Sequence, residues 1–483
     1  MPRNEAVHPI SSNDRSAYRT VPRSGHSRRR RVLDGVALLS VAVTLFASFV
    51  WGSHLQRKER RIKIGAAPFS GEWDFRLSWR IIPAVAIGLL LVTVLPCVLA
   101  RFRFPAAAWM AGAALALYAL ALAAADGANA VLAPVVDPTE YWGNLANLPS
   151  ASTTLRSFAS YDFLVQRSVH LKGHPPGFIM LLKGLAAIGL GRPWVTGALS
   201  FIGALTVVPA VALTVRAVVG ELTARRALPY LACAPFAVWL GTSADAFFSA
   251  VCAWGIAAVA LAVGSATSRH GRVSLGLAGG TLLAAGLFLS YGVVPLLALP
   301  AILVLHGFRR QRMATFEVIA AATIGALGVT ALFAAKGFWW LDGLNLTREF
   351  YWNGSAYFRT WTYFLVGNLG ALLIAVGPAV AYGIWRLRNR AAWLVVGGAL
   401  LGVAAAEVSQ YSKGEVERIW LLFMPWLLVA TAVLRRSTPA ANGPHLTTGS
   451  NVGLKCEQNS ERRWLAVQVA IGLSLQIALK SKW

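Results

Sequence analysis

Charge is what this chain lacks most: Asp, Glu, Lys and Arg make up 13% of its 483 residues, against 56% hydrophobic ones. Mean hydropathy is +0.57. A soluble domain usually carries about 25% charged residues, so a water-soluble globular protein is excluded. Acidic residues are scarcer still, 20 against 45 Lys and Arg, which leaves a net charge of +25. Such a surplus suggests a nucleic-acid partner, but the basic residues lie in short connecting loops and form no single basic face. Membrane topology explains them, and no nucleic acid is expected. Cysteine is nearly absent: Cys97, Cys233 and Cys252 fall in or near apolar runs and Cys456 lies near the C-terminus. Without paired spacing they form neither a disulfide framework nor a zinc site. No internal repeat stands out.

What the chain does have is apolar length. Crossing about 30 Å of hydrocarbon takes ~20 helical residues, and such runs recur near 32–51, 81–100, 105–125, 195–215, 227–243, 244–264, 315–335, 365–385, 392–408 and 419–434. Shorter crossings fall at 274–289 and 292–305, and the amphipathic run 464–480 is a further candidate. The fold class predicted is all-α: a polytopic transmembrane helical protein of about 12–13 spans. Arg28 to Arg31 precede the first run, which therefore reads as an uncleaved anchor with a cytoplasmic N-terminus. The expected organisation is a disordered basic cytoplasmic tail (1–31), an N-terminal transmembrane pair (32–100), and a main transmembrane domain (101–434) with outer loops 126–194 and 336–364. A polar linker (435–463) and a C-terminal helix (464–483) follow.

Charge decides how the run after His174 sits. If Pro175 to Gly191 crossed the membrane, the loops holding Arg216, Arg225, Arg226, Arg269, Arg272, Arg309, Arg310, Arg312, Arg386, Arg388, Arg390, Arg435 and Arg436 would all lie outside. That breaks the positive-inside tendency repeatedly. A short surface helix interrupted by Lys183 returns all of them to the cytoplasm and is the expectation. One loop resists: Arg57, Lys58, Arg60, Arg61 and Lys63 come out on the outer side, against the tendency, and contact with anionic lipid headgroups is the one account the sequence offers.

Ionisable residues then gather at the outer ends of the spans. Asp126, Asp137, Glu140, Tyr141, Asp162 and His174-Pro175-Pro176-Gly177 lie between two long apolar runs, with Asp245, the aromatic loop 336–364 and the stretch 409–418 on the same side. Each has a plain structural reading. Loop carboxylates are ordinarily solvated, His-Pro-Pro opens a helix, Asp245 caps one, and the aromatics form an interfacial belt. Lys413, Glu415, Glu417 and Arg418 read as local ion pairs.

Together, the acidic first outer loop (Asp137 and Glu140), the His174-Pro175-Pro176 surface helix and the later outer Asp245 resemble the GT-C superfamily of membrane glycosyltransferases. Within it they are most similar to the protein mannosyltransferase and aminoarabinose transferase group. The likeness covers roughly residues 105–435 in architecture, and only these few positions match as motifs. It departs in having three residues' spacing between Asp137 and Glu140, and in Gly177. The segments 290–292, 338–343 and 413–420 also resemble actinobacterial integral membrane proteins of unassigned substrate. The resemblance implies transfer, with inversion, of a sugar from a polyprenyl-phosphate donor to a glycan, lipid or protein of the cell envelope, at the outer face of a bacterial plasma membrane. That chemistry needs a general base and a cation to receive the returning phosphate charge. Glu140, Asp137 and Asp126 are the candidate bases. Tyr141, His174, Asp245, Trp340, Asp342, Lys413, Glu417 and Arg418 are candidates for binding substrate, with Lys413 and Arg418 facing the phosphate. No particular cofactor is implied, and a divalent metal is optional: Asp245 with the loop carboxylates could hold one through oxygen ligands, but nothing in their spacing demands it. A transporter or lipid flippase, or a non-catalytic envelope assembly protein, stays open as the alternative.

Overall fold

In hydrocarbon a backbone has to satisfy its own hydrogen bonds, so long apolar runs become helices. The structure, a computed structural model, describes residues 24–59, 62–264, 268–434 and 458–481. Among these, eight helices are long and apolar enough to cross a membrane: Val32–Lys58 (within the helix Ser24–Glu59), Phe104–Ala124, Pro193–Val218, Asp245–Ala262, Arg269–Leu289, Val293–Arg310, Arg312–Ala335 and Arg390–Ser409. Three more crossings are bent pairs: Trp79–Thr93 with Leu95–Arg101 (51°), Trp361–Val376 with Pro378–Arg386 (95°), and Val416–Leu422 with Met424–Leu434 (71°). Each bend has a proline just past it, at Pro96, Pro378 or Pro425, where a missing N–H and a ring clash interrupt the helix. The protein is a multi-pass, all-α membrane protein.

Counting each bent pair as one span gives eleven, fewer than the twelve to thirteen expected. The difference lies in two places. Residues 227–243 do not form one span; they fall into the helices Glu221–Ala232 and Ala237–Leu240, interrupted around Pro235. Every residue from 227 to 240 is buried within the protein. The C-terminal helix Gln458–Ala478 is too polar to qualify, and it packs along Ile82–Thr93. Most of the expected tail (1–23) and linker (435–457) lies outside the described residues.

Alternating helix directions bring the loops 125–192, 241–244, 290–292, 336–360 and 410–415 to one end of the bundle. Thr347 Oγ1, for example, donates 2.9 Å to the carbonyl of Lys172. The basic loops occupy the other end, where Arg272 pairs with Glu317 at 2.8 Å, Arg225 donates to the Phe102 carbonyl at 3.0 Å, and Arg386 pairs with Asp34.

Two features at the loop end position the site. The run after His174 is an eleven-residue helix, Gly177–Ala187, with Pro176 at its N-cap and Phe178, Ile179 and Leu182 buried. It is too short to span. Glycine opens it because a Cβ at 177 would drive into the backbone carbonyl of Phe288. The second feature is a small antiparallel sheet in the order β1 (Gly65–Ala66), β2 (Phe69–Trp73), β3 (Leu479–Ser481). Arg57 and Lys58 finish the first helix, where cations complement the helix dipole. Ile62, Ile64 and Ala67 then turn inward and pack on Tyr363 and Phe364.

Candidate functional site

The loop 126–192 cannot be one helix because prolines and glycines punctuate it, so it folds as a chain of short turns that carry its polar residues inward. Asp137 accepts from the backbone N–H of Thr139 at 2.8 Å and from its hydroxyl at 2.5 Å, an Asx-type turn. Those hydrogen bonds, with the hydroxyl first, hold its carboxyl below the usual range, and the side chain is exposed. The turn delivers Glu140 to the cap of the helix Tyr141–Leu145, with the Asn144 amide closing on the carbonyls of Pro138 and Glu140 at 2.9 and 2.7 Å.

Glu140 then faces the interior. Its Oε1 lies 3.0 Å from His170 Nε2, with the two side chains 15% and 7% exposed. Tyr141 is buried beside them: its ring centroid is 5.7 Å from those of both His170 and His174 and 4.9 Å from Phe178 on the surface helix. The His174 ring lies parallel to that of His170 at 6.0 Å, and its Nδ1 is 3.1 Å from the carbonyl of His170. Burial pushes the His174 imidazole down to about 4, against the pull of Asp245. Burial, with the negative field of Asp245 and Glu140, drives the Tyr141 phenol well above its ordinary range. His174 and Tyr141 are therefore neutral at physiological pH.

The opposite wall comes from the segment 410–418. Gln410, Gly414 and Glu415 all have positive φ (61°, 86° and 63°), a sharply turned stretch that its surroundings must hold. Tyr351 donates to the Gln410 carbonyl at 2.7 Å and accepts from the Lys413 amide at 3.1 Å. Asn368 donates to the Ser412 carbonyl at 2.7 Å and accepts from the Gly414 amide at 3.1 Å. Arg359 donates to the Lys413 carbonyl at 2.6 Å and to Glu415 at 3.1 Å. Burial opposes ionisation of Glu415, but the Arg359 and Arg418 guanidiniums prevail and hold its carboxyl below the usual range.

Arg418 links the two walls. Its Nη1 donates 2.6 Å to Asp245 Oδ2, both side chains being almost fully buried, and its Nη2 lies 3.7 Å from Glu415. Asp245 is the first residue of its helix and directs its carboxylate at Arg418 and at the Ser243 hydroxyl, 2.8 Å away. Glu417, fully buried, accepts from the backbone N–H of Ser70 on β2 at 2.8 Å. Lys413 is buried over the Trp352 ring at 4.6 Å, with the Ala356 carbonyl 3.4 Å from its Nζ, and burial lowers its pKa. It makes no ion pair among the described residues.

Of the positions singled out from sequence, Glu140, Tyr141, His174, Asp245 and Arg418 thus come together, Lys413 borders them, Glu417 turns instead to the hairpin at Ser70, and Asp137 sits at the exposed rim. Asp126 belongs to a different network: it pairs with Arg76 and accepts from Gln476 at 2.9 Å. Trp340 donates to the Leu287 carbonyl at 2.9 Å and meets the Tyr291 ring, while Asp342 is exposed in the first turn of the helix Trp340–Asn353. The sequence reading passed over His170, Arg359 and Ser70. His170 stands four residues before His174 and was the most legible of the three. Among the described residues no group of three or more His, Cys, Asp or Glu is arranged to hold a metal ion. A groove of about 520 Å³ lined by Trp142, Leu145, Lys183 and Ala187 lies beside the centre, between the helix at 141–145 and the surface helix.

Two buried atoms in this centre, Tyr141 Oη and His170 Nδ1, have no hydrogen-bond partner among the described residues. Each such orphan costs about 1–3 kcal/mol. Groups of this kind are ordinarily met by ordered water or by a bound ligand.

No family model matches the chain, and no curated protein matches it. Among solved structures it is similar to ArnT from Cupriavidus metallidurans in the apo state, with a TM-score of 0.43 and 14% identity over 70% of this chain and 72% of that one.

Proposed function

We propose that this protein is an integral-membrane glycosyltransferase of the GT-C type, which transfers a sugar with inversion from a polyprenyl-phosphate donor to a hydroxyl of a cell-envelope glycan, lipid or protein. The reading sets the loop end of the bundle at the outer face of a bacterial plasma membrane, with the N-terminus in the cytoplasm. One observation carries it: Glu140, His174 and Asp245, positions that the resemblance to membrane glycosyltransferases singles out, converge with Tyr141 and Arg418 on one buried polar centre from three separate stretches of chain.

The chemistry that follows divides the centre in two. Glu140 and its imidazole partner form the side that activates the acceptor hydroxyl. Lys413, a buried ammonium without a carboxylate partner, receives the negative charge that returns to the departing phosphate. Arg418 is committed to Asp245 and Glu415, so its part is to hold the two walls together and to supply positive potential. Trp340 and Asp342, on the amphipathic helix above, border the donor's path, and membrane lipid surrounds the prenyl chain.

The test is a transfer assay with the purified protein in lipid, given a panel of radiolabelled polyprenyl-phosphate sugars and an envelope extract. Donor-dependent transfer that drops by about 10²–10⁴-fold in Glu140→Ala, with donor still bound, is the expected result. Transfer from no donor, with donor binding unchanged in Glu140→Ala and Lys413→Ala, would sink the reading.

A further inference from the structure

We propose that Glu140 and His170 form a carboxylate–imidazole dyad in which His170 Nδ1 takes the proton of the acceptor hydroxyl while Glu140 fixes the ring through Nε2. The inference rests on the glycosyltransferase reading and specifies which atom does the work in it.

Geometry assigns the roles. A carboxylate oxygen accepts and does not donate, and Glu140 Oε1 lies 3.0 Å from His170 Nε2, an approach that favours the tautomer with its hydrogen on Nε2. In the neutral ring Nδ1 is then a bare acceptor. That nitrogen is closed off from water and has no hydrogen-bond partner among the described residues. Tyr141 Oη, on the ring next to it, is also buried and unpartnered. A ligand hydroxyl supplies the donor that Nδ1 lacks, and a hydroxyl-rich acceptor supplies a partner for Tyr141 as well. Glu140 Oε1 already faces Nε2, which leaves Nδ1 as the unengaged nitrogen of the pair.

The surroundings keep the ring in place. His170 is 6% exposed in the short helix Val169–Gly173. The parallel His174 ring lies 6.0 Å from it, and the His174 side chain is tied back to the His170 carbonyl. Tyr141 covers a second side.

The step balances. The acceptor O–H bond breaks, and its proton passes to His170 Nδ1. The freed oxygen pair forms the new bond to the anomeric carbon, and the bond from that carbon to the phosphate oxygen breaks. Polyprenyl phosphate leaves with the electron pair. Glu140 stabilises the imidazolium, and its proton passes to water once departure of the products opens the site.

The deciding comparison uses isosteres. The amide nitrogen of His170→Gln replaces Nε2 and still donates to Glu140, but nothing replaces Nδ1. In Glu140→Gln the amide oxygen still accepts from Nε2. The transfer assay is run on the full chain in lipid with wild type, His170→Gln, His170→Ala with and without added imidazole, and Glu140→Gln. The dyad predicts a fall in kcat of about 10²–10⁴-fold in both His170 variants with KM little changed, partial recovery of His170→Ala by imidazole, and a smaller loss in Glu140→Gln. His170→Gln within about threefold of wild type, beside an inactive Glu140→Gln, overturns the dyad and makes Glu140 itself the base. Should His170→Ala fail to fold, the Gln pair decides alone. Absence of transfer by wild type overturns the glycosyltransferase reading and the dyad with it, whereas active wild type with active His170→Gln overturns the dyad alone.

Discussion

The backbone N–H of Ser70 donates a 2.8 Å hydrogen bond to the fully buried carboxylate of Glu417, across 347 positions of sequence. The contact stitches the hairpin between the first two membrane helices to the segment that carries Arg418. Arg359 adds to the same seam, donating to the carbonyls of Ile62 and Lys63 on one side and of Lys413 on the other. The N-terminal helices are thereby part of the wall of the polar centre.

Because the donor is a backbone amide, the Ser70 side chain should matter little and Glu417 a great deal. The Ser70 hydroxyl is buried without a partner, so Ser70→Ala is expected to be neutral or slightly stabilising. Glu417→Ala leaves the amide unsatisfied and opens a cavity, with an expected loss of about 3 kcal/mol. Glu417→Gln keeps one acceptor and falls between. Thermal unfolding of the three variants in detergent checks the order, and a Ser70→Ala loss as large as that of Glu417→Ala would refute it.

Asp245 and Arg418 form an almost fully buried ion pair, and removing one partner strands the other. Each single alanine variant is expected to lose about 3–5 kcal/mol. The double variant should lose clearly less than the sum, since neither charge is then left alone. A double-mutant cycle on unfolding free energies measures this directly. Strict additivity would mean that the two side chains are stabilised by their other neighbours, Ser243 and Glu415.

Much of this centre was legible in the sequence because charge is so scarce there. Glu140, Tyr141 and His174 stand out in a polar break between apolar runs, and Asp245 and Arg418 each sit at the start of one. Nothing local announces that Asp245 and Arg418 meet, since they are 173 residues apart. The Ser70 contact was not legible at all, because it uses a backbone group that every residue but proline carries. His170 belongs to no motif; its partner lies 30 residues upstream, on the far side of several short turns. The bends had a visible signal in Gly377-Pro378 and Pro425, which counting apolar residues alone overlooks. Asp126 is the opposite case. A carboxylate at the end of a helix looks the same in sequence whether it faces a substrate or an arginine from a distant loop.

His174 gives the protein a pH dependence of definite sign. Its folded pKa is lowered from 6.5 to about 4, by burial and by the nearby His170 and Arg418, with Asp245 pulling the other way. Between those values the unfolded chain binds more protons, so the contribution to stability is complete above the unfolded value. It is lost as pH falls through the window, at up to about 1.4 kcal/mol per pH unit. His174→Gln is expected to flatten that part of the stability profile. Unfolding of both proteins at pH 7, 6 and 5 is the check, and parallel profiles would remove His174 as the cause.

Asp126 provides the last prediction, and it concerns the chain end rather than the polar centre. Its carboxylate pairs with Arg76 and accepts from Gln476, while Arg76 also donates to the Leu479 carbonyl at 2.7 Å. The backbone N–H groups of Asp74 and Arg76 donate to Ala478 and Ile477 at 2.9 and 2.7 Å, and β2 pairs with β3 beyond them. Asp126 therefore fastens the end of the C-terminal helix to the end of the helix Phe104–Ala124 through one arginine. Both charged side chains are partly exposed, 29% and 26%, so water screens the pair and its worth is about 1 kcal/mol. The backbone bonds survive its loss. Asp126→Ala should thus leave global unfolding nearly unchanged while amide exchange over residues 474–481 speeds up by about fivefold, the factor that corresponds to that energy. Exchange measured in detergent micelles by mass spectrometry resolves the segment. Faster exchange confined to residues 137–178, with the C-terminal segment unaffected, would show that Asp126 serves the loop that carries Glu140 and not the end of the chain.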